Sequence, residues 1–193
     1  MKQSDPTRIK ILAAAEQVFA RRGFTEASID SVAEKAGVAK GTIYYHFQSK
    51  DELFFELIDR GIDDLSELVH RHLNRETTQP ALYTLIEAHL LFFTQRKEFC
   101  QVLFSEVWRL KTYWKKDIMQ LKAKYHSQIV QVIQERQPDL IPKGSVFTAD
   151  MASQYVFWLV SMIGLHRLLQ KSGESSAGTV EHLYRFISAG LRG

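Results

Sequence analysis

Twenty residues near the N-terminus, Ser28 to Phe47, constrain the fold of this chain more than any other segment. They read SIDSVAEKAGVAKGTIYYHF, which divides into two short helical patterns separated by a turn at Gly37. Glycine accepts the left-handed conformation that such a turn needs. Two short helices joined in this way are typical of a helix-turn-helix, whose second helix lies at the surface.

The second helical pattern is rich in side chains that suit nucleic acid. Its polar positions combine a cation, a hydroxyl, two tyrosines and an imidazole: Lys40, Thr42, Tyr44, Tyr45 and His46. Such groups can hydrogen-bond to phosphate oxygens and base edges. We therefore expect this helix to face DNA, with Phe47 at its end packing inward.

The net charge of the chain is concentrated at the same end. Residues 1–50 hold eight Lys and Arg against five Asp and Glu, whereas residues 51–193 hold 17 of each. Because neutralisation of phosphates supplies most non-specific affinity, this distribution predicts that only the N-terminal region meets a polyanion. The excess is modest, so one copy of the chain is expected to bind weakly.

The run AGVAKGTIYYHFQSKDEL, with helical patterns on both sides, resembles the DNA-binding head of the tetracycline-repressor (TetR) family of bacterial regulators. The resemblance is strong over residues 7–57 and only architectural beyond them. It implies a homodimer on palindromic double-stranded operator DNA and a helical C-terminal domain for a small-molecule effector. By position, it implies DNA contacts from Ser28, Lys40, Gly41, Thr42, Tyr44, Tyr45, His46 and Lys50.

These residues are expected to play different roles. Lys40 is the predicted base reader, and Ser28 places a hydroxyl or a helix N-terminus against phosphate. The other main phosphate contacts are assigned to Thr42, Tyr45, His46 and Lys50, because they position a protein rather than specify sequence. Ala39 stands where relatives often have Ser, so the recognition helix should begin without a side-chain cap.

Helix start and stop signals predict an all-α chain of about nine helices, without the alternation that indicates a sheet. Asp5 and Pro6 begin the first helix and Gly23 ends it, while Ser49 and Glu52 open a long fourth helix. The later helical patterns cover 82–95, 98–110, 113–136, 148–171 and 179–191. We assign residues 1–48 to a three-helix DNA-binding domain and residues 49–193 to an effector-binding and dimerisation domain.

Length and composition narrow the class further. A chain of 193 residues with 45% hydrophobic content can bury a sizeable core, and one cysteine excludes an internal disulfide framework. The N-terminus lacks an apolar signal core, and the longest apolar stretch, residues 155–165, is shorter than the ~20 residues of a membrane helix. We therefore expect a soluble, cytoplasmic protein with no membrane contact.

The last two helical patterns are expected to form a dimer interface. Apolar residues surround the helix at 155–165, so it must be covered on every side. The final helix can cover part of it and a second copy the rest, as a four-helix bundle. The two recognition helices would then lie ~34–36 Å apart, one turn of DNA. The alternative is that both helices belong to a monomer core.

The C-terminal region is rich in large aromatic residues, which predicts an apolar cavity for an effector. The candidate lining residues are His89, Phe92, Phe93, Phe104, Trp108, Tyr113, Tyr125, Gln128, Trp158 and His166. The alternative for each aromatic is ordinary core packing. The cationic stretch at 109–116 suits the carboxylate or phosphates of an acyl-CoA or another long apolar acid, and the alternative is a solvated turn.

Catalytic signatures are absent from the sequence. No G-x-S-x-G, Gly-rich phosphate loop or H-E-x-x-H occurs, and His70 and His72 diverge on a helix. Cys100 is interpreted as a small buried hydrophobe, with a redox-sensing thiol as the alternative. We therefore expect no enzyme, no cofactor and no metal.

Together the patterns predict a homodimeric transcriptional regulator, a repressor that a small, largely apolar effector releases from its operator. A helical protein-binding module without DNA is the competing class. Lack of salt-sensitive affinity for duplex DNA would favour that alternative.

Overall fold

The computed structural model describes residues 5–107, 123, 125–170 and 176–192. Within this part of the chain there are nine α-helices and no strand, which confirms the predicted all-α fold class. The first six helices are α1 Pro6–Glu26, α2 Ile29–Ala36, α3 Lys40–His46, α4 Lys50–Leu73, α5 Ala81–Gln95 and α6 Lys97–Val107. The next, α7, covers residues 125–131 and continues into a π-helical turn, Val132–Arg136. After the 3₁₀ turn Pro138–Leu140 come α8 Ala149–Gln170 and α9 Ser176–Arg192.

Capping interactions explain where the first helices begin. The Asp5 carboxylate accepts a hydrogen bond from the Thr7 N–H at 2.8 Å. The Ser28 hydroxyl accepts from the Ser31 N–H at 3.1 Å, and the Ser31 hydroxyl accepts from the Ser28 N–H at 3.2 Å. Gly37 ends α2 with a φ of 60°, the left-handed conformation expected for this turn.

The first helix continues past the predicted stop. Gly23 has a φ of 74° and a ψ of 159°, so regular helix is interrupted there, but helical structure resumes and ends at Glu26. The N–H of Ala27 bonds to the Gly23 carbonyl at 3.2 Å, which closes this last turn. Gly23 therefore ends the regular part of α1, as the sequence predicts, and one further helical turn follows it.

The long helix α4 begins as its sequence predicts. The Ser49 hydroxyl accepts a hydrogen bond from the Glu52 N–H at 3.0 Å. The Glu52 carboxylate accepts from the N–H of Gln48 at 2.6 Å, one residue earlier than in a standard capping box. The apolar stripe of α4 is buried throughout, at Leu53, Leu57, Ile58, Ile62, Leu65 and Val69.

The described residues form two compact units. The N-terminal unit contains residues 5–62 and 98–107, and the C-terminal unit contains 63–97, 123, 125–170 and 176–192. Helix α4 supplies residues to both units. The functional boundary that we placed at residue 48 stays a prediction.

Aromatic packing and one glycine shape the core of the N-terminal unit. The ring centroids of Phe24 and Phe54 lie 4.8 Å apart, and Phe19 lies 5.5 Å from Phe24. A Cβ at Gly61 would lie 2.0 Å from the Phe99 ring, so only glycine permits this approach of α6 to α4. Helix α2 packs against both α1 and α3, which fixes the angle between the two helices of the motif.

In the C-terminal unit, α5 packs against both α8 and α9. A Cβ at Gly164 of α8 would lie 2.6 Å from the Phe93 ring of α5, so this contact also depends on glycine. The Arg167 guanidinium of α8 donates to the Thr179 hydroxyl of α9. Among the described helices, none is both long enough and apolar enough to span a membrane.

Candidate nucleic-acid interface and effector site

Helix α3 buries one residue and presents its larger polar side chains to solvent. Ile43 is fully buried, whereas Tyr44 is 49% exposed and Tyr45 is 84% exposed. Neighbouring residues point about 100° apart on a helix, so Ile43 can fill the core while the tyrosines reach the surface. Ala39 begins α3 with no side-chain cap, and Phe47 at its end is buried, as the sequence predicts.

Lys40, the predicted base reader, lies at the exposed start of α3. Its ammonium nitrogen is 2.9 Å from Oδ2 of Asp30, and both side chains are mostly exposed. The hydrogen bond and the charge of Asp30 raise the pKa of Lys40, so the ammonium stays protonated. An exposed ion pair of this kind exchanges partners readily, which leaves Lys40 able to move to a base edge.

Lys50 is held by backbone carbonyls. Its ammonium donates to the carbonyls of Phe24 and Ala27, each at 2.8 Å, and of Thr25 at 3.2 Å. It also lies 4.5 Å from the centroid of the Phe24 ring. Since an ammonium has three donors, all of them are in use. Lys50 therefore stabilises the connection between α1 and α2, and its predicted phosphate contact would require this side chain to leave.

His46 is also largely enclosed. Its side chain is 9% exposed, and its Nε2 atom lies 3.7 Å from a carboxylate oxygen of Asp5. Thr42 is half-buried. The remaining predicted DNA contacts are all exposed: Ser28, Lys40, Gly41, Tyr44 and Tyr45.

Arg8 positions the end of the recognition helix, although sequence reasoning did not single it out. Its guanidinium donates to the carbonyl of His46 and to the carboxylate of Glu56, and lies 4.4 Å from the Phe47 ring centroid. The hydrogen bond to Glu56 raises the pKa of Arg8. These partners are 38 and 48 residues away in sequence, so no local pattern could have indicated them.

A second cationic surface of the N-terminal unit was not predicted from the sequence. A groove of about 360 Å³ between α1 and α2 is lined by Arg21, Arg22, Ser31 and Lys35, with Glu34 beside them. Arg21 and Arg22 make no ion pair with any residue that the structure describes. The adjacent arginines before Gly23 were the sequence signal for this surface.

Three of the predicted effector residues meet around a buried imidazole in the C-terminal unit. His89 is 1% exposed; its Nδ1 lies 3.1 Å from the Tyr125 hydroxyl and its Nε2 lies 3.2 Å from the Ser161 hydroxyl. The His89 ring stacks on Phe93, with centroids 5.8 Å apart. Burial lowers the pKa of His89 to about 3 and raises the pKa of Tyr125, so both groups are neutral.

The other predicted effector residues are dispersed. Phe92 is buried in α5, Phe104 is buried in the N-terminal unit, and Trp158 is half-buried beside Phe157. Gln128 lines a cleft between α4 and α7, whereas His166 is exposed on α8. Trp108, Tyr113 and the cationic stretch at 109–116 lie outside the described residues.

Cys100 is 1% exposed, as its interpretation as a small buried hydrophobe requires. Within the described ranges, no group of three or more His, Cys, Asp or Glu side chains could hold a metal ion.

The fold and the exposed polar helix α3 define a class of protein: an all-α protein with an N-terminal helix-turn-helix and a helical C-terminal region. Residues 11–57 match the family model described as bacterial regulatory proteins, tetR family. Over this segment the match agrees with the resemblance that the recognition helix indicated.

Known relatives match part of the chain. The HTH-type transcriptional activator FasR from Mycolicibacterium smegmatis is 34% identical over 102 residues, which cover 52% of this chain and 47% of that protein. The chain spans about half the length of the curated relatives it matches.

Two solved structures share the fold over nearly the whole chain. The fatty acid degradation regulator FadR from Bacillus halodurans superimposes with a TM-score of 0.86 at 21% identity, covering 99% of each chain. The transcriptional regulator FadR from Bacillus subtilis, in complex with stearoyl-CoA, gives a TM-score of 0.82 at 18% identity, covering 95% of this chain and 99% of that one. At these identities the likeness concerns the fold alone.

Proposed function

We propose that this protein is a cytoplasmic transcriptional repressor that binds a palindromic operator as a homodimer and leaves it when a small effector binds. One observation carries the DNA-binding part: α3 buries Ile43 against its neighbours while Tyr44 and Tyr45 face solvent. The two tyrosines lie side by side at the surface, where a partner can reach both of them. A tyrosine offers both a ring to pack on the duplex backbone and a hydroxyl for phosphate.

Within this interface, Lys40 is the base reader and the exposed hydroxyls of Ser28 and Tyr45 bind phosphate. Lysine donates well to the O6 and N7 acceptors of guanine in the major groove. Ser28 caps α2, so the N–H groups of this helix add a partial positive charge at the same place.

The dimer is proposed to form through α8 and α9. Met151, Tyr155 and Met162 are 37%, 50% and 48% exposed, and their spacing places them in one stripe along α8. Phe186 of α9 is 72% exposed. An apolar stripe of this kind marks an interaction surface. His166 lies close to the same stripe, which favours a place at this interface over the predicted place in an effector pocket.

Sedimentation separates the dimer from the alternative of a monomer core. The wild type is expected at twice the 22.3 kDa of one chain, and Phe186→Glu is expected to shift it toward the monomer. Val146→Glu is the matched control, because Val146 is 83% exposed in the loop before α8. A monomeric wild type, or equal effects of the two changes, would support the monomer core.

The effector is proposed to be small and largely apolar. The aromatic cluster around His89 is one apolar region of the C-terminal unit, which favours an apolar ligand over a highly charged one. Because the Bacillus subtilis neighbour is in complex with stearoyl-CoA, an acyl-CoA is the first compound to test.

Selection from a random duplex library tests the proposed function directly. The selected duplex is expected to bind the wild type with an affinity whose logarithm falls linearly with the logarithm of salt concentration. Tyr45→Ala should weaken binding, whereas Val146→Ala, also an exposed apolar position, should not. Absence of any salt-sensitive affinity for duplex DNA would favour a helical protein-binding module instead.

A further inference from the structure

A cleft of about 190 Å³ lies between the second half of α4 and the end of α7, within the C-terminal unit. Its lining combines apolar and polar side chains, chiefly Ser66, Val69, Leu73, Gln128, Val132 and Arg136. The cleft is separate from the buried cluster around His89, which contributes no residue to it.

Two polar atoms of the cleft residues are buried without a hydrogen-bond partner among the described residues. They are Oγ of Ser66, a residue only 7% exposed, and Oε1 of Gln128. A buried polar atom without a partner destabilises a folded protein, so few such atoms survive in native structures. Two of them on the walls of one cleft indicate that a bound molecule supplies the missing partner.

The backbone of α7 is irregular at the same place. Val132–Arg136 forms a π-helical turn, and Val132, Glu135 and Arg136 all line the cleft. Single π-helical turns interrupt α-helices most often at functional sites. The Arg136 guanidinium donates to the carbonyl of Leu73 and to the side chain of Asn74, each at 2.8 Å, which ties this turn to the end of α4.

The lining restricts the chemistry of a ligand. The Gln128 oxygen can only accept, so the ligand must donate, whereas the Ser66 hydroxyl can do either. Two charged lining groups already have hydrogen-bond partners: Glu135 accepts from the Gln131 amide at 3.1 Å, and the Arg136 guanidinium donates to the carbonyl of Leu73 at 2.8 Å. The volume is below the ~300–1,000 Å³ of sites for drug-sized ligands. A neutral, short molecule fits these conditions, and a long acyl chain does not.

We propose that this cleft is the effector site and that it takes a small neutral amphiphile with an amide or hydroxyl donor at one end and a short apolar tail. The inference rests on the proposed function, because its consequence is release of DNA. Ser66 and Leu73 belong to the same 24-residue helix as Lys50, which holds the carbonyls of the α1–α2 connection. A ligand that changes the separation of α4 and α7 therefore acts on a helix that reaches the DNA-binding head.

Hexanamide is the probe for this site, because its amide N–H groups donate and its pentyl chain suits Val69 and Val132. NMR titration of the full chain is expected to show saturable binding that Gln128→Leu weakens about tenfold, the effect of losing one hydrogen bond to a buried group. Gln154→Leu, the same change at an exposed amide of α8, should leave the affinity unchanged. Methyl pentanoate has a similar size without a donor, and should bind about tenfold more weakly than hexanamide.

Ser66→Ala provides a second test that does not depend on a loss of folding. Removal of an unpartnered hydroxyl should raise the midpoint of thermal unfolding of the free protein and also weaken hexanamide binding. If the midpoint rises while hexanamide affinity stays at the wild-type level, the hydroxyl has no ligand role and the site is overturned.

Duplex binding measured by anisotropy distinguishes a failure of this inference from a failure of the proposed function. Saturating hexanamide is expected to weaken duplex binding by the wild type about fivefold or more, and Gln128→Leu is expected to need about tenfold more hexanamide for the same effect. Duplex binding that stearoyl-CoA releases and hexanamide does not would refute the cleft as effector site and leave the proposed function standing. Failure of the free protein to bind any duplex would refute the proposed function itself.

Discussion

Acidification is expected to destabilise the C-terminal unit through one buried imidazole. His89 lies between the Tyr125 and Ser161 hydroxyls, and burial lowers its pKa from 6.5 to about 3. In the unfolded chain the same imidazole binds a proton near pH 6.5. The unfolded state therefore gains protons that the folded state does not, and the contribution of the neutral imidazole to stability is lost as the pH falls from 6.5 toward 3.

The size of this effect follows from the pKa difference. Each pH unit between the two pKa values changes the free energy of unfolding by about 1.4 kcal/mol, so the loss between pH 7.5 and pH 5 is about 2 kcal/mol. Above pH 7.5 the contribution should be constant, because the imidazole is neutral in both states.

Urea unfolding of the wild type and His89→Gln at a series of pH values measures the contribution of His89 to the free energy of unfolding. The glutamine keeps polar groups at the site but cannot titrate, so the stability difference between the two proteins should shrink by about 2 kcal/mol from pH 7.5 to pH 5. His70→Gln, which removes an exposed histidine near the end of α4, controls for the loss of a histidine as such. Parallel pH profiles for wild type and His89→Gln would refute the reasoning.

Other substitutions test the N-terminal unit. Tyr45→Ala should weaken binding to all duplexes, whereas Lys40→Ala should also relax base preference; an unchanged preference in a binding-site selection would remove Lys40 from base reading. Lys50→Ala should lower the free energy of unfolding by on the order of 2 kcal/mol in chemical denaturation, because three carbonyls lose a charged donor; a neutral effect would contradict this. Gly61→Ala should destabilise by about 1–3 kcal/mol, because its Cβ would overlap the Phe99 ring, and a wild-type unfolding midpoint would show that α6 moves aside freely.

Local signals in the sequence predicted most of the fold. Ser28 and Gly37 mark the two ends of α2 because a cap and a left-handed turn depend on adjacent residues. The same holds for Ser49 at the start of α4. Gly23 interrupts the regular helix as predicted, but the further turn to Glu26 was not predicted, because the sequence does not say whether helical structure resumes after a kink.

The candidate sites were predicted less completely, because their contacts join distant parts of the chain. The sequence predicted that the polar side of α3 faces outward, and Tyr44 and Tyr45 are both exposed. The three carbonyls that hold Lys50 lie 23 to 26 residues before it, and nothing local indicates them. Gln128 was among the predicted lining residues of an effector cavity, but its neighbour in the cleft, Ser66, lies in an amphipathic helix where a serine is ordinary.

The three carbonyls under Lys50 lie just before Ser28, at the entrance to α2. Without the Lys50 ammonium, the partial negative charge of these carbonyl oxygens would repel a phosphodiester at the place where the N–H groups of α2 attract it. The Lys50 ammonium offsets this repulsion, so in the proposed complex it would strengthen binding to the duplex even without contacting it. A glutamine at position 50 would keep some of the hydrogen bonds to the carbonyls but would remove the positive charge. Lys50→Gln therefore separates the electrostatic effect of this residue on DNA binding from its hydrogen bonding.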